Sequence, residues 1–231
     1  MSTSNAGPKI LGLETSTGNC SVSILAGNEV FASQKEAGQQ HSSLVLPMID
    51  ELMQRTGLKL ADLDAVAFGA GPGSFTGLRI ACGVAQGLAF AINLPCIPVG
   101  SLEALAQASE GERIVVCTDA RMGQVYHAAY ERDGGGWQEI LPPTLCDPGS
   151  LPELPGDDWL GCGSGFERYP QICRQQYRDV VSRFIEALVP HAREVVVLAA
   201  HYLETGRAVS SADAAPVYVR NKVALTMKEQ G

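Results

Sequence analysis

The chain has 231 residues, a hydrophobic content of 45% and a formal net charge of −8 at pH 7. This length fits one globular unit or two small subdomains, with enough apolar residues for a core. The acidic balance excludes stand-alone nucleic-acid binding, which needs a basic surface. Seven cysteines without CxxC spacing, and a polar start at residues 1–8, predict a reducing, cytoplasmic location.

Strand and helix patterns alternate in the first half of the chain. They predict strands over 9–15, 20–26 and 29–35, a helix from Ser42 or Ser43 to Arg55, a strand over 61–69, a helix over 78–93, a strand over 95–99 and a helix over 102–108 that Ser101 caps. Such alternation indicates an α/β layer fold with a mixed sheet.

A second unit begins near residue 110. Its predicted elements are strands over 112–118, 124–132, 137–141 and 159–162, a largely irregular proline-rich stretch over 142–155, a helix over 191–204 and an extended piece over 215–219. Arginines 168, 174, 178 and 183 cluster in this half. They form either a local nucleic-acid-binding patch or, more simply, a solvated face. The sequence shows no repeat with a period of 20–50 residues.

A glycine-rich loop, GAGPGSFTG at 69–77, joins a strand to the most apolar helix. Glycines allow positive φ and close approach of a neighbour, Pro72 fixes the turn, and Ser74 is the predicted N-cap. Because a helix N-terminus can hold an anion, Gly73 and Ser74 are candidate phosphate contacts. A tight strand-to-helix turn explains the same residues equally well, and no Lys completes a P-loop.

The first strand ends in Glu14-Thr15-Ser16-Thr17. An acidic residue followed by hydroxyls has the chemistry to contact a nucleotide phosphate or magnesium-bound water, so Glu14 and Thr15 are candidate cofactor residues. A polar strand end without a ligand is the simpler alternative.

Two helices have more apolar surface than one sheet face needs. In helix 78–93 the polar residues are Arg79, Gln86 and Asn93, which form one narrow stripe. The helix is either the central helix of a monomer core or is covered by a partner on its outer side. We predict a four-helix contact with a second subunit, through Met48, Leu52, Ala81, Cys82, Ala85 and Ala89. Because polar residues interrupt this helix, we do not expect it to span a membrane.

Catalytic and metal-binding patterns are missing from the sequence. The four histidines form no HxxxH pair, and no cysteine has an obvious neighbouring base, so neither a metal site nor a catalytic residue is predicted. Asp119 and Arg121 flank a hairpin turn, where Asp commonly accepts from its own backbone. We predict a structural role for both.

Four strings carry a family resemblance: ILGLETST at 10–17, GPGSFTGLR at 71–79, DARMGQVY at 119–126 and PVYVRN at 216–221. Together they resemble the TsaB (YeaZ) family, the bacterial partner proteins in N6-threonylcarbamoyladenosine (t6A) modification of adenosine 37 in tRNA. The resemblance covers essentially the whole chain, although residues 134–183 match only loosely.

The resemblance implies an α/β fold of the actin/Hsp70-like (ribonuclease H-like) type, with a mixed sheet flanked by helices and two subdomains. The first subdomain is expected to hold residues 1–108 plus about 190–210, including the helical partner interface. The second, smaller one is expected to hold 109–189 plus the C-terminal segment 211–231.

The resemblance also bears on catalysis. The TsaD catalytic subunit, a paralogue, holds a metal with two histidines in a VNHMxGH-like string. The matching string here is Val99–Leu105, with Ser101 and Leu105 where the ligands would stand. This implies a non-catalytic scaffold or activator without a cofactor. Its implied partners are a TsaD-type subunit and a TsaE-type ATPase, or a second copy in a homodimer when alone; tRNA contact is only indirect, and no membrane is involved.

Two alternative functions belong to the same fold. An ATP-dependent phosphotransferase would use Glu14 and the glycine loop, although the chain shows only one of the phosphate loops such an enzyme needs. A metallopeptidase would require the missing histidines.

Overall fold

The computed structural model describes residues 7–185 and 188–220, and ten strands in these ranges form two five-stranded sheets. Sheet A contains β1 (Lys9–Glu14), β2 (Asn19–Ala26), β3 (Glu29–Glu36), β4 (Ala65–Gly71) and β5 (Cys96–Gly100). Sheet B contains β6 (Arg113–Arg121), β7 (Gln124–Asp133), β8 (Gly136–Cys146), β9 (Trp159–Cys162) and β10 (Val181–Ile185). The helices are α1 (His41–Thr56), α2 (Phe75–Ile92), α3 (Ser101–Gln107), α4 (Ser164–Arg168), α5 (Pro170–Tyr177) and α6 (Ala192–Glu204).

The two sheets share one topology. Their strand orders are β3-β2-β1-β4-β5 and β8-β7-β6-β9-β10. In each sheet three strands form an antiparallel meander, and two further strands then add in parallel beside the first. The fold is therefore duplicated although the sequence shows no short repeat.

Helices cover both faces of sheet A. The helices α1 and α2 pack on one face, and α6 packs on the other. The close approach of α6 depends on Gly12 in β1, because a Cβ at this position would overlap the Val196 side chain. Helix α3 lies between the sheets, with Ala104 in the core under α6 and Leu105 in the core of sheet B. The helices α4 and α5 cover the far face of sheet B.

Two local predictions are wrong, and one strand was missed. Strand β8 continues through Pro142 and Pro143 to Cys146 instead of ending at 141, which an edge strand tolerates because its outer N–H groups need no partner. Strand β10 was not predicted, since its exposed residues hide the alternation. Ser101 does not cap α3: the N-cap is Gly100, and the Ser101 hydroxyl donates instead to Glu14.

The C-terminal segment, residues 209–220, runs mainly along the first subdomain. Val209 bridges to Cys96 of β5, Ala214 lies in the core under α1 and α2, and the Val217 N–H donates to the Ala70 carbonyl at 2.8 Å. Val217 thus pairs with sheet A, whereas Val219 packs against the core of sheet B. The assignment of residue 211 onward to the second subdomain stays a prediction. Residues 221–231 lie outside the described part. The other subdomain boundaries stay predictions.

Candidate functional site

A cleft of about 1160 Å³ lies between the two sheets. Its lining comes from the β1–β2 turn, the N-terminal turn of α2, the β6–β7 turn and the C-terminal segment. Of the four candidate cofactor residues, Gly73 and Ser74 line the cleft, whereas Glu14 and Thr15 are fully buried behind it.

Three glycines let the end of β1 pack against the start of α2. A Cβ at Gly69 would overlap the Glu14 carboxylate, and one at Gly77 would overlap the Thr15 carbonyl. A Cβ at Gly73 would lie 2.5 Å from the Ser16 Cβ. The loop and the ETST string are therefore complementary surfaces of one chain. Ser74 caps α2 as predicted, accepting from the Gly77 N–H at 3.3 Å.

Glu14 is held by hydrogen bonds inside the protein. Its carboxylate accepts from the Ser101 hydroxyl at 2.9 Å and from the Ser16 N–H at 2.6 Å. Burial raises the pKa of Glu14, and the hydrogen bonds from Ser16 and Ser101 partly oppose this rise. A carboxylate in this position has its acceptor sites directed at its own chain and does not face the cleft.

Ser101 and Leu105, which the resemblance matched to metal-ligand histidines, both lie inside the protein. Ser101 is fully buried and donates to Glu14, and Leu105 is fully buried in the core of sheet B. Over residues 7–185 and 188–220, no cluster of three or more His, Cys, Asp or Glu side chains could hold a metal ion.

The β6–β7 turn is organised by Asp119 and Arg121. The Asp119 carboxylate accepts from the Arg121 N–H at 2.9 Å, and its other oxygen lies 3.6 Å from the exposed Arg121 guanidinium. The Arg220 guanidinium donates to the Ala120 carbonyl at 3.1 Å and to Gln124 Oε1 at 3.0 Å. The C-terminal segment thus connects the subdomains at this turn. The structural role of Asp119 and Arg121 stays a prediction.

The predicted interface residues do not point outward. Exposure is at most 4% for each of the six, namely Met48, Leu52, Ala81, Cys82, Ala85 and Ala89, and all belong to the core between the helices and sheet A. On α2, the small side chains of Ala81, Cys82, Ala85 and Ala89 allow the helix to approach its own sheet closely. Because all six residues are buried in this core, the prediction that they point outward to a partner is wrong.

The outer face of α2 is nevertheless apolar. Its exposed residues are Gly83, Gly87, Phe90 and Ala91, with Thr76 at the N-terminal end, and Phe90 is 79% exposed. Among the described residues, no atom beyond the adjoining residues and backbone of α2 itself would lie within 4 Å of a Cβ at Gly83 or Gly87. Next to this face, Leu46 of α1 is 54% exposed at the rim of a cavity of about 240 Å³. Within residues 7–185 and 188–220 nothing covers this apolar surface of the two helices, which we call the α1–α2 outer face.

The polar stripe of α2 contacts the C-terminal segment. Gln86 donates to the Ala214 carbonyl at 2.9 Å, and Arg79 donates to the Tyr218 hydroxyl at 3.0 Å. The Arg79 guanidinium also lies 3.8 Å from the centroid of the Phe75 ring. With sheet A inside and this segment along one flank, only the outer face of α2 lacks a neighbour among the described residues.

The helix is long and apolar enough to cross a membrane by length and composition, and its inner face is covered by sheet A.

Sequence reasoning identified the two helices and missed the residues that form their outer face. The available signal was the pair Gly83 and Gly87, four residues apart, together with the large apolar Phe90 on the same side. A helix that is apolar on two sides does not reveal from its periodicity alone which side meets the sheet.

Residues 27–228 match the family described as "TsaD: tRNA N6-adenosine threonylcarbamoyltransferase". This match and the two mixed sheets with their helices define a TsaD-type protein with the actin-like (ribonuclease H-like) α/β fold, as expected from the sequence.

The chain belongs to the TsaB (YeaZ) family. It is 35% identical to the "tRNA threonylcarbamoyladenosine biosynthesis protein TsaB" of Escherichia coli K12, over 94% of this chain and 96% of that protein. It is 37% identical to the Haemophilus influenzae protein of the same description, over 93% and 94%. The structure titled "YeaZ from Pseudomonas aeruginosa" matches with a TM-score of 0.85 and 34% identity, covering 91% of this chain and 99% of that one.

Proposed function

We propose that this chain is a non-catalytic subunit in the biosynthesis of t6A in tRNA, and that it binds a TsaD-type catalytic subunit through the α1–α2 outer face. The curated relatives, which the chain matches over nearly their whole length, are described as t6A biosynthesis proteins. The observation that carries the interface is the uncovered apolar surface of these helices, with Phe90 at its centre.

The chemistry of this surface supports a protein partner. Contiguous exposed apolar surface on a soluble protein usually marks an interaction site, and aromatic anchors dominate binding energy. The open positions at Gly83 and Gly87 allow a helix to approach the backbone closely, and the neighbouring cavity beside Leu46 can receive an apolar side chain. The same surface would serve a homodimer when the catalytic subunit is absent.

The residues at the positions that would carry chemistry support a non-catalytic role. Ser101 and Leu105 offer no pair of metal ligands, and Glu14 is enclosed by hydrogen bonds from its own chain. We place the protein in the cytoplasm with a TsaE-type ATPase in the same assembly, and with tRNA contacted through the catalytic subunit. A phosphotransferase is not favoured, because the acidic residue it would use does not line the cleft.

The test is reconstitution of the t6A reaction from purified components. The TsaD-type subunit should bind this chain and form t6A only in the mixture, and this chain alone should form none. Replacing Phe90 with Glu should abolish binding and t6A formation. The matched control is Ile172→Glu, which changes an exposed apolar residue on α5. Normal binding by the Phe90→Glu protein would refute the interface; t6A formation by this chain alone would refute the non-catalytic role. Submicromolar ATP binding by this chain, measured by calorimetry, would support a phosphotransferase.

A further inference from the structure

Met122 occupies a turn position that favours other residue types. The two residues that join β6 to β7 are Met122 and Gly123, with φ of 54° and 76°. A two-residue hairpin turn with positive φ at both positions favours Asn, Asp or Gly, and a large side chain there is strained. Met122 is 59% exposed, so packing in a core does not compensate for this strain. Because local strain of this kind is concentrated at functional positions, the side chain itself needs an explanation.

The Met122 sulfur contacts the C-terminal segment. The Arg220 guanidinium donates to Met122 Sδ at 3.0 Å, in addition to its bonds to other groups of the same turn. Just before Arg220 in the chain, Val219 packs against the core of sheet B, and the Val217 N–H pairs with sheet A. Met122 thus lies where a segment that contacts both sheets is attached to the β6–β7 turn. A thioether sulfur is a weak acceptor, so its own part in this attachment is small.

We propose that Met122 is a reversible oxidation site, at which a hydroperoxide converts the thioether to a sulfoxide whose oxygen accepts the Arg220 hydrogen bond. The oxidant reaches this residue from solvent, since Met122 is mostly exposed and lines the cleft. Oxidation makes an apolar side chain polar, and a sulfoxide oxygen is a stronger acceptor than a thioether sulfur. Oxidation therefore strengthens the attachment of the C-terminal segment to the β6–β7 turn.

The reaction balances with hydrogen peroxide as the oxidant. A sulfur lone pair attacks one peroxide oxygen, so that the S–O bond forms and the O–O bond breaks. The departing hydroxide takes the proton from the oxygen now bound to sulfur and leaves as water. The sulfur loses two electrons, which reduce one peroxide. A thiol-dependent methionine sulfoxide reductase reverses the change: two thiols become a disulfide, and the oxygen leaves as water.

The first experiment is peptide mapping of the folded full chain after treatment with hydrogen peroxide. Two methionines of α1 are internal controls, because Met48 is fully buried and Met53 is 8% exposed. Met122 should be oxidised at least about tenfold faster than either, and a methionine sulfoxide reductase should restore it. Equal oxidation rates for Met122 and Met48, or a sulfoxide at Met122 that the reductase leaves in place, would overturn the proposal. Circular dichroism before treatment verifies that the protein is folded, and the wild-type map decides the site without any variant.

The second experiment measures amide hydrogen exchange in the C-terminal segment. In the oxidised protein the Val217 amide should exchange at least about threefold more slowly, because one stronger hydrogen bond opposes local opening. Met122→Gln places an amide oxygen near Arg220 and should slow exchange without peroxide. The matched control, Met122→Leu, lacks the sulfur and should show no change on treatment, although its seven cysteines remain. Unchanged or faster exchange in the oxidised wild type, or the same response in Met122→Leu, would refute the role of the sulfoxide.

Discussion

The inner and outer faces of α2 are similar in polarity and opposite in environment. On the inner face, Ala81, Ala85 and Ala89 have no exposed surface and lie against sheet A, whereas the outer face carries Phe90 at 79% exposure and two glycines that face open space. Side-chain size distinguishes them. Alanines let a helix lie close to its own sheet, and a bulky aromatic beside two glycines is suited to a second molecule. Amphipathic analysis therefore needs the size of each side chain as well as its polarity.

The largest effect is expected from a charge on the inner face. Ala85→Glu would place a carboxylate in a fully buried position without room or partner. We expect a loss of about 3–5 kcal/mol in the free energy of unfolding, a large share of the roughly 5–15 kcal/mol that holds a typical domain folded. Urea denaturation followed by circular dichroism measures it. A variant with wild-type stability that had merely lost a binding partner would reverse our assignment of the two faces.

The same charge on the outer face should spare the fold and block association. Gly87→Glu puts the carboxylate in open space, and the free energy of unfolding should stay within about 1 kcal/mol because Glu favours a helix over Gly. Affinity for the TsaD-type subunit should fall at least tenfold, measured by calorimetry. Gly87→Ala is the control and should bind. Unchanged binding by the Glu variant would place the contact elsewhere.

Thiol labelling compares the two faces at adjacent positions. Cys82 is 4% exposed on the inner face, and burial raises the pKa of its thiol, so both access and thiolate fraction are low. In a Gly83→Cys variant, the new thiol should react with a maleimide at least about tenfold faster than Cys82, since only exposed thiolates react readily. Peptide mass spectrometry reads both sites in one sample. Binding of the TsaD-type subunit should protect position 83, and equal labelling rates in the free protein would contradict the comparison.

The smallest effect concerns the polar flank between the faces. Gln86→Ala removes the hydrogen bond to the Ala214 carbonyl and leaves that acceptor partly buried. We expect a loss of about 1 kcal/mol in the free energy of unfolding, with partner affinity unchanged. Gln54→Ala, on the exposed side of α1, is the control and should change stability by less. A loss of partner affinity in Gln86→Ala would extend the interface onto this flank.

The order of the elements could be predicted from the sequence because most have strong local signals. Strand β1 and helix α2 lie close to their predicted ranges, with Ser74 as the N-cap. Strand β10 lacks such a signal, because exposed residues follow Val181, and its place depends on pairing with β9. A local sequence pattern is enough to predict an element with a strong signal. An element with a weak signal forms only because it pairs with a distant segment of the chain.

The candidate site was less predictable for the same reason. The glycine loop and the ETST string were both identified, but the sequence gives no sign that Gly69, Gly73 and Gly77 accommodate Glu14, Ser16 and Thr15. A glycine that admits a ligand and a glycine that admits a neighbouring strand have the same local requirement for space. Only the three-dimensional arrangement distinguishes these two uses.

The contact between α2 and the C-terminal segment has a consequence for the order of synthesis. A ribosome delivers α2 well before residues 214–218, and domains generally fold from the N-terminus as they emerge. Until these residues arrive, Gln86 and Arg79 lack the partners they have in the finished fold. Ala214 also belongs to the core under α1 and α2. Until it arrives, the nascent chain exposes this part of the core together with the outer face of α2, and it presents a wider apolar surface to chaperones than the completed protein does.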